Sequence, residues 1–437
     1  MSFMIQYPRI FRRWLGFCVR NFRLLVVFFK CLLGLGLLFD MTLANADTLS
    51  LKNAEVLLIR DNPSLAMATQ RILALQHLAK AAGQLADPQL SLRAVNVPTD
   101  SFSLSQQPMT LLRLGVAQTF PPFGKLGLMD DRIQARAFGQ RYARETKHAE
   151  LVFGLRRAWV SAVYLQYAQE TVRRQKTLAH ESVLAAMAAF RSGMYPQSDV
   201  LRARLAMENL SNDESALAAD EATDIASIAQ YIGIDQVPII VHKWPELPSA
   251  YENIEKHLFS QPILREAQVK VRAAQFNLQI AKKNYLPTVT IDASYGKSFF
   301  PGSPDYFSVG ISMTLPIFSG DRINQTVDSA NAQVMVAKFD ERNQQLALSQ
   351  QVRSATAKYT SLSEKLARME TKILPLARAG FQSTLAAYTS GNNTMSAVLE
   401  AQQAVLASEL QTLQYRRDQL IEQAKLDYLA TSSQEQP

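Results

Sequence analysis

Cysteine is almost missing from this chain of 437 residues: Cys18 and Cys31 are the only two, and both lie within the first forty-six positions. That segment has a basic stretch, the apolar run from Leu24 to Phe39 broken by Lys30, and the small residues Ala44 and Ala46 ahead of Asp47. The order is that of a secretory signal over 1–46, cleaved after Ala46. The competing reading, a retained anchor, meets a run short of the about 20 residues a bilayer span takes. Removal of 1–46 leaves no thiol, which excludes disulfides, thiolate metal sites and cysteine nucleophiles from the exported part. Phe17 precedes Cys18 and Lys30 precedes Cys31, where an acylated cysteine would follow small residues, so no lipid anchor is expected.

After residue 46 no apolar run approaches the length of a transmembrane helix. Entry into a membrane would therefore require a closed barrel, the other architecture that satisfies its backbone in lipid. Histidine is scarce too: His77, His148, His180, His242 and His257 never stand three or four apart, so no metal cluster is legible. Met109, Met129, Met187, Met194, Met207, Met313 and Met395 are scattered and read as core filler. No nucleophile elbow, phosphate loop or catalytic acid pair is present. Asp130, Asp131, Glu145 and Glu150 lie among Arg and Lys at helical spacing, as on a solvated or salt-bridged face, and Trp159 and Tyr164 read as helix packing. No enzyme, cofactor or metal site is expected. The net charge of +8 owes +5 to the first forty-six residues; the remaining +3 is too small to indicate a nucleic-acid partner.

What the chain does contain is a repeat. Pro63 and Pro88 recur as Pro262 and Pro287 at an offset of 199; GVAQTFPPFG from Gly115 recurs as GISMTLPIFSG from Gly310 at 195; AAFRSGM from Ala188 recurs as AAYTSGN from Ala386 at 198. Three anchors in one order define a tandem duplication. The first repeat spans 47–232 and the second 249–437, with the proline-rich 233–248 as an equatorial linker.

Each repeat reads as helix, two strands, long helix, glycine turn, return helix. The opening helices occupy 47–84 and 249–284, the hairpins about 88–119 and 287–315, the long helices about 125–191 and 321–389, and the return helices 197–232 and 394–430. In the strands, Ser308, Gly310, Ser312 and Thr314 alternate with Phe307, Val309, Ile311, Met313 and Leu315, and Leu112, Leu114 and Val116 alternate with Arg113, Gly115 and Ala117. Membrane barrels and β-sandwiches both show this dyad. The long helices separate the two: at 1.5 Å per residue each reaches about 100 Å, which no compact domain accommodates.

The junctions Pro121-Pro122-Phe123-Gly124 and Pro316-Ile317-Phe318-Ser319-Gly320, and the turns ending at Gly193 and Gly391, resemble those of the TolC-type outer-membrane factor family across about 49–429. The resemblance implies a mainly helical fold with a β-barrel part: a homotrimer in which each chain gives four strands to a twelve-stranded outer-membrane barrel and coiled-coil hairpins to a tunnel across the periplasm. It implies a periplasmic adaptor, an inner-membrane pump of the resistance-nodulation-division type and outer-membrane lipid as partners. It places the entrance gate at Gly193 and Gly391, with Asp199, Arg202 and Glu400 as candidates; Ala397 departs from the acidic pattern at the place matching Asp199. A pairing of Asp199 with Arg202 or Arg204 across a helix turn is a further expectation. The segments 96–102 and 107–110 resemble the first hairpin loop of members that serve metal efflux.

The expected function is a passive efflux duct for metal cations or toxic small molecules. Two alternatives stand beside it: the duct of a type I protein secretion system, and a soluble periplasmic coiled-coil scaffold with no barrel.

Overall fold

The computed structural model describes residues 48–235, 238–248, 254, 258–317 and 319–431; the expected signal with Cys18 and Cys31 lies outside the described residues, as do His257 and Phe318. In chain order the elements are α1 (Leu51–Asp61), α2 (Pro63–Ala82), β1 (Gln89–Val95), β2 (Leu111–Phe120), α3 (Lys125–Arg191), α4 (Gln197–Ile232), α5 (Pro262–Lys282), β3 (Thr288–Ser298), β4 (Tyr306–Thr314), α6 (Gly320–Arg368), α7 (Leu374–Thr389) and α8 (Met395–Ala430).

The opening helix expected over 47–84 is two helices, because Pro63 has no N–H to continue the ladder of α1. Asn62 turns that break into a cap: its side-chain oxygen accepts from the Ser64 N–H at 2.9 Å, and its amide donates to the Tyr231 carbonyl at 2.8 Å. The start of the first repeat is thereby tied to the last turn of α4. Gly233 ends α4 at φ +75°, and a Cβ there would lie 2.8 Å from the Asp61 carbonyl oxygen, so the same junction requires glycine twice over.

α3 runs unbroken for 67 residues, about 100 Å at helical rise. Its second-repeat counterpart is broken: residues Met369–Ile373 form a π-helical turn between α6 and α7. The cause is Pro375, which cannot donate to residue 371 and whose ring would press on that carbonyl. Widening the turn relieves the clash, and the Leu374 N–H donates to the Met369 carbonyl five residues back.

The core follows the small side chains of α3. Ala158, Ala162 and Ala168 let neighbouring helices approach, while Trp159, Leu155 and Val163 fill the space between them. Gly154 goes further: an added Cβ would sit 2.6 Å from the Tyr231 hydroxyl. At the equator the linker lies on this core. Trp244 stacks on Tyr167 at 5.4 Å, and Gln423 of α8 donates to the Leu247 carbonyl at 3.0 Å. Arg156 of α3 joins Glu55 of α1 at 2.7 Å and Asp427 of α8. Burial pulls the guanidinium's pKa down, but the hydrogen bonds and charges of the two carboxylates outweigh it and leave it raised.

The four strands form one antiparallel sheet in the order β1-β2-β3-β4, so β2 and β3 join the two repeats while β1 and β4 keep one open edge each. Register places Leu92, Leu114, Tyr295 and Phe307 in one row across the sheet, and Leu90, Val116, Ala293 and Val309 in the next on the same face. The opposite face carries rows such as Ser91, Gly115, Ser294 and Ser308.

Two predictions follow from these junctions. Gly233→Ala lowers thermal stability by at least about 1–3 kcal/mol, through positive φ and the Asp61 contact, whereas Gly193→Asn, with open space around it, costs less than about 1 kcal/mol; denaturant melts of the two variants compare them. Arg156→Met leaves two partly buried carboxylates unpaired and costs about 3 kcal/mol, and adding Glu55→Gln and Asp427→Asn to it recovers part of that loss in the same assay.

Candidate functional site

The helices reverse at two matched turns. At Gly193 (φ +73°) the Met194 N–H donates to the Ala189 carbonyl and the Gly193 N–H to the Phe190 carbonyl, both at 3.0 Å. At Gly391 (φ +80°) Asn392 and Gly391 repeat this with Ala387 and Tyr388 at 2.9 and 3.0 Å. Both are Schellman caps, in which glycine adopts the left-handed conformation without a Cβ penalty. Each return helix, α4 and α8, has 36 residues, so the duplication persists in three dimensions.

The helix starts differ between repeats. Thr394 caps α8 by accepting the Ala397 N–H on its hydroxyl at 3.3 Å. The matching Pro196 has no such side chain, and Asp199 at the third helical position supplies negative charge to the first turn of α4 instead. Where the first repeat has Asp199 the second has Ala397, and there the Thr394 hydroxyl serves the helix end.

Asp199 is 8% exposed and lies beside a cluster of Val183, Ala186, Val200, Ala203, Tyr388 and Met395 that joins both repeats at the turn end. Tyr195 stacks on Tyr388 at 4.7 Å and donates its hydroxyl to the Asn393 carbonyl at 2.9 Å. Burial raises the Tyr388 phenol's pKa, and the negative charge of Asp199 adds to it. The Tyr388 hydroxyl itself is buried with no hydrogen-bond partner among the described residues.

Arg202 does not pair with Asp199. Its guanidinium donates to the Ser396 hydroxyl of α8, and Arg204 reaches the Met187 sulfur at 4.0 Å. Glu400 takes the place in α8 that Arg202 takes in α4; it is exposed and makes no hydrogen bond or ion pair among the described residues. Structure thus gathers Gly193, Asp199, Arg202, Gly391 and Glu400 at one end of the helices, with Asp199 turned inward and Glu400 outward. The tyrosine pair was not anticipated; two tyrosines flanking the glycine turns, Tyr195 and Tyr388, were the available signal.

At the other end, Phe307, Val309, Ile311 and Met313 of β4 and Leu90 and Leu92 of β1 are all more than half exposed. A row of large apolar side chains on one sheet face, with two unpaired edges, has no partner among the described residues. Among the described residues, no helix is long and apolar enough to cross a membrane, and no group of three or more His, Cys, Asp or Glu is placed to hold a metal ion.

An edge-open sheet with an apolar outer face, carried on helices of about 100 Å, defines the protomer of a barrel channel with a helical tunnel. Comparison with known proteins shows what the chain is similar to. Residues 253–431, about two-fifths of the chain, match the family described as Outer membrane efflux protein, and the chain has the fold of TolC-type outer-membrane channels. Protein CyaE of Bordetella pertussis is 26% identical over 213 residues, covering 46% of this chain and 44% of CyaE. The toluene efflux pump outer membrane protein TtgF of Pseudomonas putida is 25% identical over 177 residues, 39% of this chain and 36% of TtgF. The matched segments therefore span less than half of either relative. The solved outer membrane protein VceC of Vibrio cholerae shares the fold at a TM-score of 0.74 with 18% identity, covering 87% of this chain and 96% of VceC.

The tip yields a prediction of its own. Tyr388→Phe removes an unsatisfied buried hydroxyl and is neutral or stabilising, whereas Tyr388→Ala opens a cavity beneath Tyr195 and costs about 3–5 kcal/mol in thermal denaturation.

Proposed function

We propose that the protein is the passive outer-membrane duct of a tripartite efflux system, a homotrimer docked on a periplasmic adaptor and an inner-membrane pump of the resistance-nodulation-division type that supplies the energy. The observation that carries this reading is the sheet: four strands whose outer face is apolar and whose two edges are open. Four strands cannot close, and an open edge in lipid leaves backbone groups unsatisfied at several kcal/mol each. Three copies joined edge to edge make twelve strands and leave no edge. The exposed Phe339, Val336 and Leu376 on the helices supply apolar surface for the same association.

The cargo is metal cations or toxic small molecules, and the likeness to a toluene efflux protein supports the second class. At the turn end, Glu400 carboxylates from three chains form the narrowest ring of the gate. Asp199 anchors the start of α4 from inside, and the Arg202 contact with Ser396 latches α4 to α8.

The expected result is a detergent-extracted trimer from the outer-membrane fraction; a soluble monomer in the periplasm overturns the reading. In planar bilayers, Glu400→Ala is expected to weaken divalent-cation block severalfold, on the order of the field change from removing three charges. Unchanged block and conductance would remove Glu400 from the gate.

A further inference from the structure

The polar face of the sheet contains an arrangement that sheet stability alone does not favour. Arg93 of β1 and Arg113 of β2 are register partners, directly opposite each other. Side chains so placed have Cβ atoms about 5 Å apart, and like charges there destabilise the strand pair. Arg93 is exposed and Arg113 half-buried, and neither makes a hydrogen bond, ion pair or ring contact to any described residue. Their row continues through Gly296 to Tyr306, so no carboxylate stands beside them.

One other charge shares this face among the strands. Asp292 lies four residues along β3 from Gly296, about 13 Å nearer the helices at strand rise. It faces Gly310, where a Cβ would meet its carboxylate oxygen at 2.6 Å. Lys297 is on the opposite, apolar face and pairs with Asp305 at 3.0 Å, so it does not add to the row. Each chain therefore puts two guanidinium groups, unpaired among the described residues, at one level near the hairpin-loop end of this face, where Asp292 is the one carboxylate among the strand residues.

We propose that Arg93 and Arg113 form an anion-attracting belt inside the barrel, six guanidinium groups in the trimer, so that of the two cargo classes named above the exit favours small molecules, those bearing carboxylate or phosphate, over free metal cations. This rests on the duct reading above. Twelve strands about 4.8 Å apart and tilted about 40° enclose a backbone circle about 24 Å across. Side chains projecting inward from that wall leave the remaining lumen within about one Debye length of a guanidinium at physiological salt, so passing ions sense the belt across the whole section. Guanidinium groups also present paired donors that match carboxylate and phosphate oxygens. A local conflict in the sheet, two facing arginines, is thus accounted for by what passes between them.

The test uses purified full-length trimer in planar bilayers, comparing wild type with the Arg93→Ser/Arg113→Ser double variant and the Arg93→Lys/Arg113→Lys variant, all identical at Glu400. Reversal potentials across a potassium chloride gradient are expected to show the chloride-to-potassium permeability ratio falling on the order of threefold in the serine variant and holding in the lysine variant. Citrate added on the hairpin-loop side is expected to block wild-type pores and to lose that block in the serine variant. Thermal stability of the serine trimer is expected to equal or exceed that of wild type, since a like-charge pair has gone; a lower stability would mark the arginines as structural and overturn the belt. Pores with the same ratio and the same citrate block in all three proteins overturn the belt alone. A chain that remains monomeric and forms no pores overturns the duct, and the belt with it.

Discussion

Unpaired backbone at the edges of the four-stranded sheet is the constraint on which the rest of the molecule depends. β1 and β4 each leave one side of their N–H and C=O groups without a ladder partner, next to a face of leucine, valine, isoleucine and phenylalanine. Water would satisfy the edges but not the face, and lipid would satisfy the face but not the edges. Association through the edges resolves both at once. Each repeat then passes from its second strand to a long helix through a short connection, from Phe120 to Lys125 by way of Gly124 at φ +77° and from Thr314 to Gly320.

Duplication makes the wall, and small departures between the copies show where each copy is stabilised by different means. α4 begins after proline with an acid in its first turn, whereas α8 begins with a threonine cap. α3 is continuous, whereas its counterpart contains a π turn set by Pro375. Neither departure changes the length of the return helix or the geometry of the glycine turn. Equal reach is conserved between the copies while local hydrogen bonding is not, as expected where the tunnel's height is the shared requirement.

Charge is distributed with a comparable division of labour. The equatorial triad of Arg156, Glu55 and Asp427 joins the first helix, the long helix and the last helix, closing the chain on itself at mid-height. Asp199 is buried at the turn end, where its charge adds to the effect of burial in raising the Tyr388 pKa, while Glu400 makes no hydrogen bond or ion pair among the described residues. Arg93 and Arg113 stand unpaired at the sheet's far end.

The sequence by itself determined what depends on spacing: the two repeats, the glycine turns at Gly193 and Gly391, the long helices and the two-residue alternation that separates an apolar face from a small polar one. These are short-range properties, legible because a helix and a strand each impose a period on neighbouring residues. Even there, Asn62 hid a break by acting as a cap, and Pro375 announced a disturbance without revealing its π form. Tertiary structure alone decided the partners. That Arg93 faces Arg113, that Arg156 reaches Asp427 from 271 positions away, and that Asp199 turns into the tip cluster while Glu400 turns out are matters of register and packing between distant segments. No local period encodes them, because each depends on where another part of the chain has come to lie.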